Sequence, residues 1–397
     1  APTRGRCDVL PTGRNLTTID PRGVPTRTAA IVGWRAADEV VRRYLQDHGD
    51  HPRALMLDLW ASASLRTGGD DLAQALAFLG ARPKWDDASN RVVGIEVLPL
   101  AKLDRPRIDV TLRISGSFRD IFAAQIALFN LAVRMVAERN EPDEWNALAA
   151  VRRGGGSLAR IFGGEPGTYG AGAASAALDG PWATRDELAE AYLEASSHAY
   201  GPEGADRSAP HEFAERVATT DALIHPQDDR ERDLLDGDGV ADFAGGFSAA
   251  AQRFGRSPSL YHLDTSVPDA PRARTIEEEI VRIVRGRLTN PRWLAGIATH
   301  GHRGVAEIAQ GVDALYAFAA TAGAVRDHLF DAVHDAIIAD EDRVAMLLER
   351  NASATQAIAA RLKDLIDRRL WTPRRNAVHA ELAAVLRGER ASVRALP

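Results

Sequence analysis

The amino-acid sequence predicts an α/β fold, in which mixed α/β layers with a mostly parallel sheet are followed by a largely helical C-terminal region. Over the first 150 residues, short apolar runs alternate with segments of helical periodicity, which is typical of parallel sheets. From 152 to 172 the chain is rich in glycine and is predicted to be largely loop. We therefore expect three regions: an α/β domain with an N-terminal strap (1–150), the Gly-rich loop with a second α/β region (151–275), and a helical region (276–397).

The individual elements follow from residue spacing. A helix is predicted from about Thr28 to Asp47, then a buried strand in ALMLDLW (54–60), a turn in SASLRTGGDD, and a helix in DLAQALAFLG. RVVGIEVLPL and RIDVTLRISG are strand-like, and FRDIFAAQIALFNLAVRMVAE is predicted to be one long helix. Later segments alternate again, with helices in DELAEAYLEASSHAY and ADFAGGFSAAAQRFG, and strands in ALIH and SLYHLD. The last third is predicted to be helical in TIEEEIVRIVRGRL, HRGVAEIAQGVDALYAFAATAG, VRDHLFDAVHDAII and ATQAIAARLKDLIDRRL.

Composition excludes several classes of protein. The formal net charge of −6 disfavours wholesale nucleic-acid binding. The single cysteine, Cys7, excludes an internal disulfide framework and indicates a reducing, cytoplasmic compartment. No apolar run is long enough to span a membrane, and the first residues lack the apolar segment of a signal peptide. Because the sequence does not begin with Met, we expect a processed end or a piece of a longer protein.

Nucleotide motifs are absent from the sequence. It contains neither a P-loop nor a dinucleotide fingerprint, so any ATP that drives its reaction is expected to be hydrolysed by another polypeptide. RTGGDD follows a strand and precedes a helix, as a phosphate loop does. Asp70 and Asp71 would repel phosphate there, so a capped helix start is the alternative.

His225 is the histidine best suited to chemistry. It ends the apolar run DALIH and is followed by PQDD, which places Asp228 and Asp229 near it. Strand ends that open into polar loops are common sites in α/β proteins. A histidine with carboxylates suits a divalent metal (His225, Asp228 and Asp229) or a base with an orienting partner. The alternative is a strand-end histidine beside solvated aspartates.

THGHRG (299–304) places His300 and His302 between two helices, where Gly301 and Gly304 permit close approach of a ligand. An ordinary interhelical turn remains the alternative.

Four arginines lie in glycine-containing segments of irregular sequence. They are Arg14 in PTGRN, Arg66 in LRTGG, Arg119 in ISGSFRD and Arg160 in ARIFGG. A guanidinium is a rigid fork for carboxylates, and glycine lets a ligand approach the backbone. Together these segments suit a pocket for a molecule with several carboxylates or amides, although each arginine taken alone is more typical of a surface. The opening segment with Arg14 is also compatible with a frayed terminus or an irregular strap.

Several of these motifs resemble, in order, the C-terminal region of the superfamily of cobaltochelatase and magnesium chelatase large subunits. They are PTGRN, DPRGVPT, LWASASLRTGGDDLAQALAFLGARPKWD, VTLRISGSFRDIF, ARIFGGEPGTYGAG and NPRWLAGIATHGHRG. Within the superfamily, SLRTGGDD, the glycine-rich form at 160–170, SSHAYG (196–201) and RDLLDG (232–237) are more similar to the cobaltochelatase large subunit, CobN.

The resemblance implies a function. Such a subunit binds the corrin hydrogenobyrinic acid a,c-diamide and Co²⁺, and inserts the metal during aerobic cobalamin synthesis. ATP and Mg²⁺ act through separate AAA+ motor subunits of the CobS and CobT type. His225 with Asp228 would then transfer protons or metal. The residues implied at the macrocycle are Arg14, Asn15, Arg66, Arg119, Arg160, Tyr169 and His300.

Two alternatives remain: insertion of Mg²⁺ into protoporphyrin IX by a magnesium chelatase large subunit, and a tetrapyrrole-binding module without turnover. Large subunits of the superfamily are much longer than this chain, and PTGRN lies well inside them. We therefore expect the N-terminal portion of the subunit to be a necessary partner, and this chain alone to be inactive.

Overall fold

The computed structural model describes residues 20–201, 206–237 and 239–389. The chain folds into two compact units. Of the described residues, the first unit takes in those up to Ala171 and those within Ala189–Arg230 and Ala250–Thr275. The second takes in those within Gly172–Leu188 and Glu231–Ala249 and those from Ile276 onward. The three-region division stays a prediction. Its last boundary, between 275 and 276, coincides with the point at which the last segment of the second unit begins.

Within the described residues, eight strands of the first unit form one sheet, in the order β10-β9-β8-β1-β4-β5-β6-β7, and β2 pairs with β3 in a separate antiparallel ribbon. The strand bounds are β1 (Ala54–Leu59), β2 (Ala81–Trp85), β3 (Val92–Val97), β4 (Asp109–Ile114), β5 (Ile161–Gly163), β6 (His198–Tyr200), β7 (Asp206–Ser208), β8 (Ala222–Gln227), β9 (Ser259–Asp264) and β10 (Arg272–Thr275).

The centre of this sheet is parallel. β1 lies between β4 and β8 and is parallel to both, and β4–β5 and β8–β9 are parallel as well. Antiparallel pairing occurs only towards the edges, among β9–β10, β5–β6 and β6–β7 of the described strands. Every residue of β1 and β4 is buried, as expected for strands covered on both faces. The predicted mostly parallel sheet is confirmed.

The helix bounds, in chain order, are α1 (Arg27–His48), α2 (Ala61–Thr67), α3 (Asp70–Leu79), α4 (Leu100–Leu103), α5 (Gly116–Ile121), α6 (Ala123–Ala137), α7 (Ala147–Arg153), α8 (Ala173–Asp179), α9 (Arg185–Ser196), α10 (Pro210–Thr219), α11 (Gly246–Arg253), α12 (Ile276–Gly286), α13 (Pro291–Ala298), α14 (His302–Thr321), α15 (Asp327–Ile337), α16 (Glu341–Asp367) and α17 (Val378–Leu386). Helices α1–α7 and α10 belong to the first unit, and α8 and α12–α17 belong to the second.

The sequence explains how α1 and α3 pack together. Thr26 caps α1 by accepting a hydrogen bond from the Ala29 amide, and Gly49 ends it in the left-handed conformation. A Cβ on Gly33 would lie 2.6 Å from the Ala73 Cβ, so only glycine allows this close crossing. Every residue of α3 is buried, which explains its apolar, alanine-rich sequence.

Three sequence predictions need correction. The helix predicted in DELAEAYLEASSHAY ends at Ser196, and His198–Tyr200 forms β6. SASLRTGGDD is not simply a turn, because Ala61–Thr67 forms α2, which ends at the left-handed Gly68. The long helix predicted from Phe118 is two helices, since Phe122 leaves helical geometry at φ −112° and ψ 38°.

The C-terminal region from Ile276 is helical throughout its described elements, as predicted. Its longest helix, α16, is kinked at Asn351, whose φ of −160° and ψ of 85° are not helical. The Asn351 side chain accepts a hydrogen bond from the Ala354 amide and so caps the second part of the helix. No described helix is both long and apolar enough to cross a membrane.

Candidate functional site

The central parallel strands end along one side of the sheet, which we call the carboxyl edge, and they bring several charged side chains there. In open α/β sheets this edge is where ligands bind. Asp58 lies on β1, His225 on β8, and His262 on β9. Asp228 follows β8 directly, so the predicted candidates belong to the edge that the topology favours.

A row of four buried polar residues crosses the sheet near this edge. Asp58 is in register with Arg113 of β4, and His225 is in register with His262. Leu57 is in register with Ile224, so Asp58 stands beside His225. Since register partners lie on one face, the four side chains form a continuous row, which we call the strand row.

His225 and Asp58 lie close together within the strand row. The His225 Nδ1 lies 3.6 Å from the Asp58 Oδ2, and both side chains are buried. That Nδ1 has no hydrogen-bond partner among the described residues. The His225 and His262 rings are near-parallel, with centroids 6.1 Å apart. His225 therefore lies inside β8 rather than at its end, and its nearest carboxylate is Asp58 rather than the predicted Asp228.

Arg66 holds the two aspartates that follow β8. Its Nε and Nη2 donate to the two oxygens of Asp228 at 2.9 and 2.7 Å, and Nη2 lies 3.3 Å from Asp229. The hydrogen bonds to Asp228 raise the pKa of Arg66. The structure thus brings together three predicted residues, but Asp228 is engaged by a guanidinium in this arrangement.

Asp71 is a further buried carboxylate of α3 near these charges. It accepts hydrogen bonds from the Ser64 hydroxyl and the Leu72 amide. Burial raises its pKa to about 6, and the charge of Asp228 adds to the shift. Its strongly perturbed pKa beside an Arg–Asp pair is a feature that functional sites share.

The predicted metal set of His225, Asp228 and Asp229 is not assembled in this arrangement. Across the described residues, no group of three or more His, Cys, Asp or Glu side chains is placed to hold a metal ion. Metal binding by these residues stays a prediction.

Arg119 is anchored within the first unit by the Gly-rich segment. It donates to the carbonyls of Glu165 and Thr168 at 2.8 and 3.2 Å and pairs with Asp120. Tyr169 lies over the Arg119 guanidinium at 5.5 Å, and its hydroxyl donates to Asp120. The Tyr169 side chain remains largely exposed, so its ring is accessible to a flat ligand.

Arg160 is enclosed at the amino edge, the side of the sheet at which the parallel strands begin. It donates from Nε and Nη2 to Asp109 at 2.6 and 3.0 Å, and Arg216 lies 3.0 Å from the same carboxylate. These contacts are internal and buried, so they give no support to the predicted contact between Arg160 and substrate. We call Asp109, Arg160 and Arg216 the amino-edge cluster.

The remaining predicted residues lie elsewhere. Arg14 and Asn15 fall outside the described residues. His300 is exposed on the turn between α13 and α14 in the second unit. The Asn351 side chain donates to the His302 carbonyl at 3.0 Å, and Arg350 donates to the Ala298 carbonyl, so the kink of α16 holds this turn.

Sequence reasoning missed Asp58, His262 and Arg113. Each is the polar interruption of an otherwise apolar strand, in ALMLDL, SLYHL and VTLRI. A charged residue inside a run that must be buried needs a partner, and that signal was available from the sequence.

The comparisons with known proteins agree with this architecture. The family described as CobN/Magnesium Chelatase matches residues 1–378. The chain belongs to that family. The predicted resemblance is confirmed.

Individual members of the family can be ranked by identity. The aerobic cobaltochelatase subunit CobN of Sinorhizobium sp. is 48% identical across 97% of this chain and 32% of the relative. The CobN subunit of Pseudomonas aeruginosa is 45% identical across 94% of this chain and 31% of the relative. The chloroplastic magnesium-chelatase subunit ChlH of Oryza sativa subsp. japonica is 32% identical across 91% of this chain and 27% of the relative.

A solved family member has the same fold. The catalytic subunit of cobaltochelatase from Mycobacterium tuberculosis superposes with a TM-score of 0.90 at 36% identity, covering 93% of this chain and 32% of that chain. The present chain therefore spans about a third of the length of the CobN relatives it matches.

Proposed function

We propose that the chain is the C-terminal part of the large, substrate-binding subunit of an ATP-dependent cobaltochelatase. The reaction is insertion of Co²⁺ into hydrogenobyrinic acid a,c-diamide in aerobic cobalamin biosynthesis. The observation that carries the proposal is the identity of 48% and 45% to two CobN subunits, against 32% to a plant magnesium-chelatase subunit.

Energy comes from other polypeptides in this proposal. The sequence has no P-loop, so ATP and Mg²⁺ are bound by AAA+ motor subunits of the CobS and CobT type in the cytoplasm. The chain's own residues bind the macrocycle, remove its protons and receive the metal as substrate.

His225 is the group proposed to accept a proton from a ring nitrogen. Metal insertion releases the protons that the ring nitrogens carry, so a base is needed within reach of them. Asp58, 3.6 Å away, is placed to stabilise the imidazolium that forms. Asp228 is proposed to receive the metal ion once the substrate has displaced Arg66 from it.

The edge of the macrocycle carries carboxylates and amides. Of the three predicted arginines that the structure describes, Arg66 has the most accessible side chain, at 26% exposed against 7% for Arg119 and 1% for Arg160, and it lies at the carboxyl edge. Tyr169 offers an exposed aromatic face for the flat ring.

A chimera tests the proposal, with this chain replacing the matched region of the Sinorhizobium sp. CobN subunit. We expect the chimera, supplied with the motor subunits, to insert Co²⁺ into the corrin and to bind metal-free corrin more tightly than protoporphyrin IX. Tighter binding of protoporphyrin would favour a magnesium chelatase. Binding of the corrin without insertion would favour a module without turnover.

His225→Ala in the chimera tests the site. We expect the insertion rate to fall by at least ~100-fold, the range for loss of a positioned acid or base. The matched control is His211→Ala, which removes an exposed histidine of α10 and should leave the rate unchanged. If His225→Ala alters neither Co²⁺ affinity nor insertion rate, the assignment of His225 is wrong.

A further inference from the structure

The second unit contains a basic cavity of about 430 Å³ between the N-terminal end of α9, the end of α14 and the end of α16. This volume is within the usual range for small-molecule sites. The lining residues are Trp182, Ala183, Arg185, Ala320, Asp367, Arg368, Arg369 and Leu370.

Positive charge dominates this basic cavity. Three lining residues are arginines and one is an aspartate, Asp367, which pairs with Lys363. Arg368 pairs with Asp364. The three arginines and Lys363, set against the carboxylates of Asp364 and Asp367, leave a formal charge of +2. An anion entering the cavity would therefore be attracted electrostatically.

Two of the arginines are fixed in place before any ligand binds. Arg368 lies over the Trp182 ring at 4.2 Å and donates to the Trp182 carbonyl at 2.6 Å. Arg185 donates to the carbonyls of Ala320 and Ala319 at 2.9 and 3.2 Å. Burial lowers the pKa of Arg185, so its charged form is held at an energetic cost that a nearby anion would offset.

The third arginine occupies a position that normally belongs to glycine. At the end of α16, the Arg369 amide donates to Ile366 at 3.0 Å and the Leu370 amide donates to Leu365 at 2.8 Å, which is the Schellman pattern. Arg369 is the left-handed residue of this motif, with φ of 59°. A side chain there costs roughly 1 kcal/mol relative to glycine. A side chain held at this backbone cost in a cavity wall points to a function of that side chain.

We propose that this basic cavity binds a small organic polyanion that carries at least two carboxylate or phosphate groups. Arg185, Arg368 and Arg369 contact the anionic groups, because guanidinium forks match the geometry of both. Trp182 and Leu370 provide apolar surface for the organic part of the ligand. The volume limits the ligand to a small molecule.

Calorimetric titration of the chain at low salt tests this proposal, with citrate as the carboxylate probe and pyrophosphate as the phosphate probe. We expect a dissociation constant at or below ~1 mM for at least one probe. The tighter probe identifies the preferred anionic group. Affinity should fall as salt is added, because screening weakens attraction between exposed charges.

Two substitutions separate function from folding. Arg369→Gln keeps the backbone cost and removes the charge, so it should weaken binding at least ~10-fold with little change in thermal stability. Arg369→Gly should weaken binding equally while raising the unfolding temperature, because glycine prefers the left-handed position.

The matched control is Asp104→Gly. Asp104 is also a non-glycine residue in the left-handed conformation after a helix, with φ of 53°, but it lies in the first unit. This change should leave binding unaltered. The proposal is overturned if neither probe binds at concentrations well above ~1 mM, or if Arg369→Gln leaves the dissociation constant unchanged.

Discussion

Two Arg–Asp pairs of the first unit have the same bidentate geometry in opposite surroundings. At the amino edge of the sheet, the Arg160 and Asp109 side chains are 1% and 3% exposed. At the carboxyl edge, Arg66 is 26% exposed and Asp228 is 6% exposed. A buried pair without access to water is difficult to open, whereas the partly exposed Arg66 is more accessible from solvent. Identical chemistry therefore supports the fold at one edge and is suited to binding at the other.

Two buried aspartates show the same contrast. Burial alone would raise the pKa of Asp109, but the charges of Arg216 and Arg160 hold it below its usual value. Burial raises the pKa of Asp71 to about 6. The ionised carboxylate of the amino-edge cluster is therefore stabilised by its two arginines, while the carboxyl edge keeps a carboxylate that is costly to ionise. Such imbalance is typical of sites that bind or transfer charged groups.

The largest effect is expected at the amino edge. Asp109→Asn leaves Arg160 and Arg216 without a buried carboxylate, so the free energy of unfolding should fall by roughly 3–5 kcal/mol. Urea denaturation followed by circular dichroism measures this. The control is Asp120→Asn, which removes the exposed carboxylate that pairs with Arg119. It should cost less than ~1 kcal/mol. Equal losses in both variants would remove the distinction between a structural and an exposed pair.

Much of the fold could be predicted because periodicity and burial agree. β9 coincides with the predicted run SLYHLD. β1 and β4 lie within predicted apolar segments whose length and composition are those of buried strands. The break at Phe122 was missed because the apolar spacing continues across it. α2 was missed because glycine, serine and threonine are as typical of turns as of short capped helices.

The candidate site was only partly predictable. Arg66 and Arg160 both lie close to glycine in the sequence, and only three-dimensional structure separates an arginine at an accessible edge from one enclosed by Asp109. The His225–Asp58 contact depends on the register of β1 against β8, which no local sequence pattern encodes. The sequence nevertheless identified His225 as a residue close to the carboxyl end of a buried strand, and β8 does end two residues later, at Gln227.

Asp71 supplies a pH-dependent test of the carboxyl edge. Its folded pKa of about 6 exceeds its ordinary value of 3.8, so its favourable contribution to stability is complete below pH 3.8 and is lost as pH rises through about 6. Asp71→Asn removes the cost of the buried charge. At pH 8 this variant should be more stable than the wild type by roughly 1–3 kcal/mol.

Urea denaturation at pH values across this window measures the Asp71 effect. Asp228 and Arg66 are the charged groups that act on Asp71, so the same series with Asp71→Asn and Arg66→Ala combined shows whether Arg66 offsets part of the cost. A stability difference that does not change with pH would contradict the raised pKa of Asp71.

Apart from the Asp120→Asn control, the smallest effect on stability is expected at Arg66. Arg66→Ala should cost only ~1 kcal/mol, because loss of the partly exposed Arg66 side chain would open Asp228 and Asp229 to water. A double-mutant cycle of Arg66→Ala with Asp228→Ala measures the coupling of this pair in urea denaturation, and the cycle of Arg160→Ala with Asp109→Ala provides the reference. We expect the carboxyl-edge coupling to be the smaller of the two.

In the chimera, Arg66→Lys should nevertheless weaken corrin binding, since lysine keeps the charge and loses the bidentate fork. Full corrin affinity in Arg66→Lys, together with equal coupling energies in the two cycles, would make both pairs structural and leave the carboxyl edge without its proposed contact to the macrocycle.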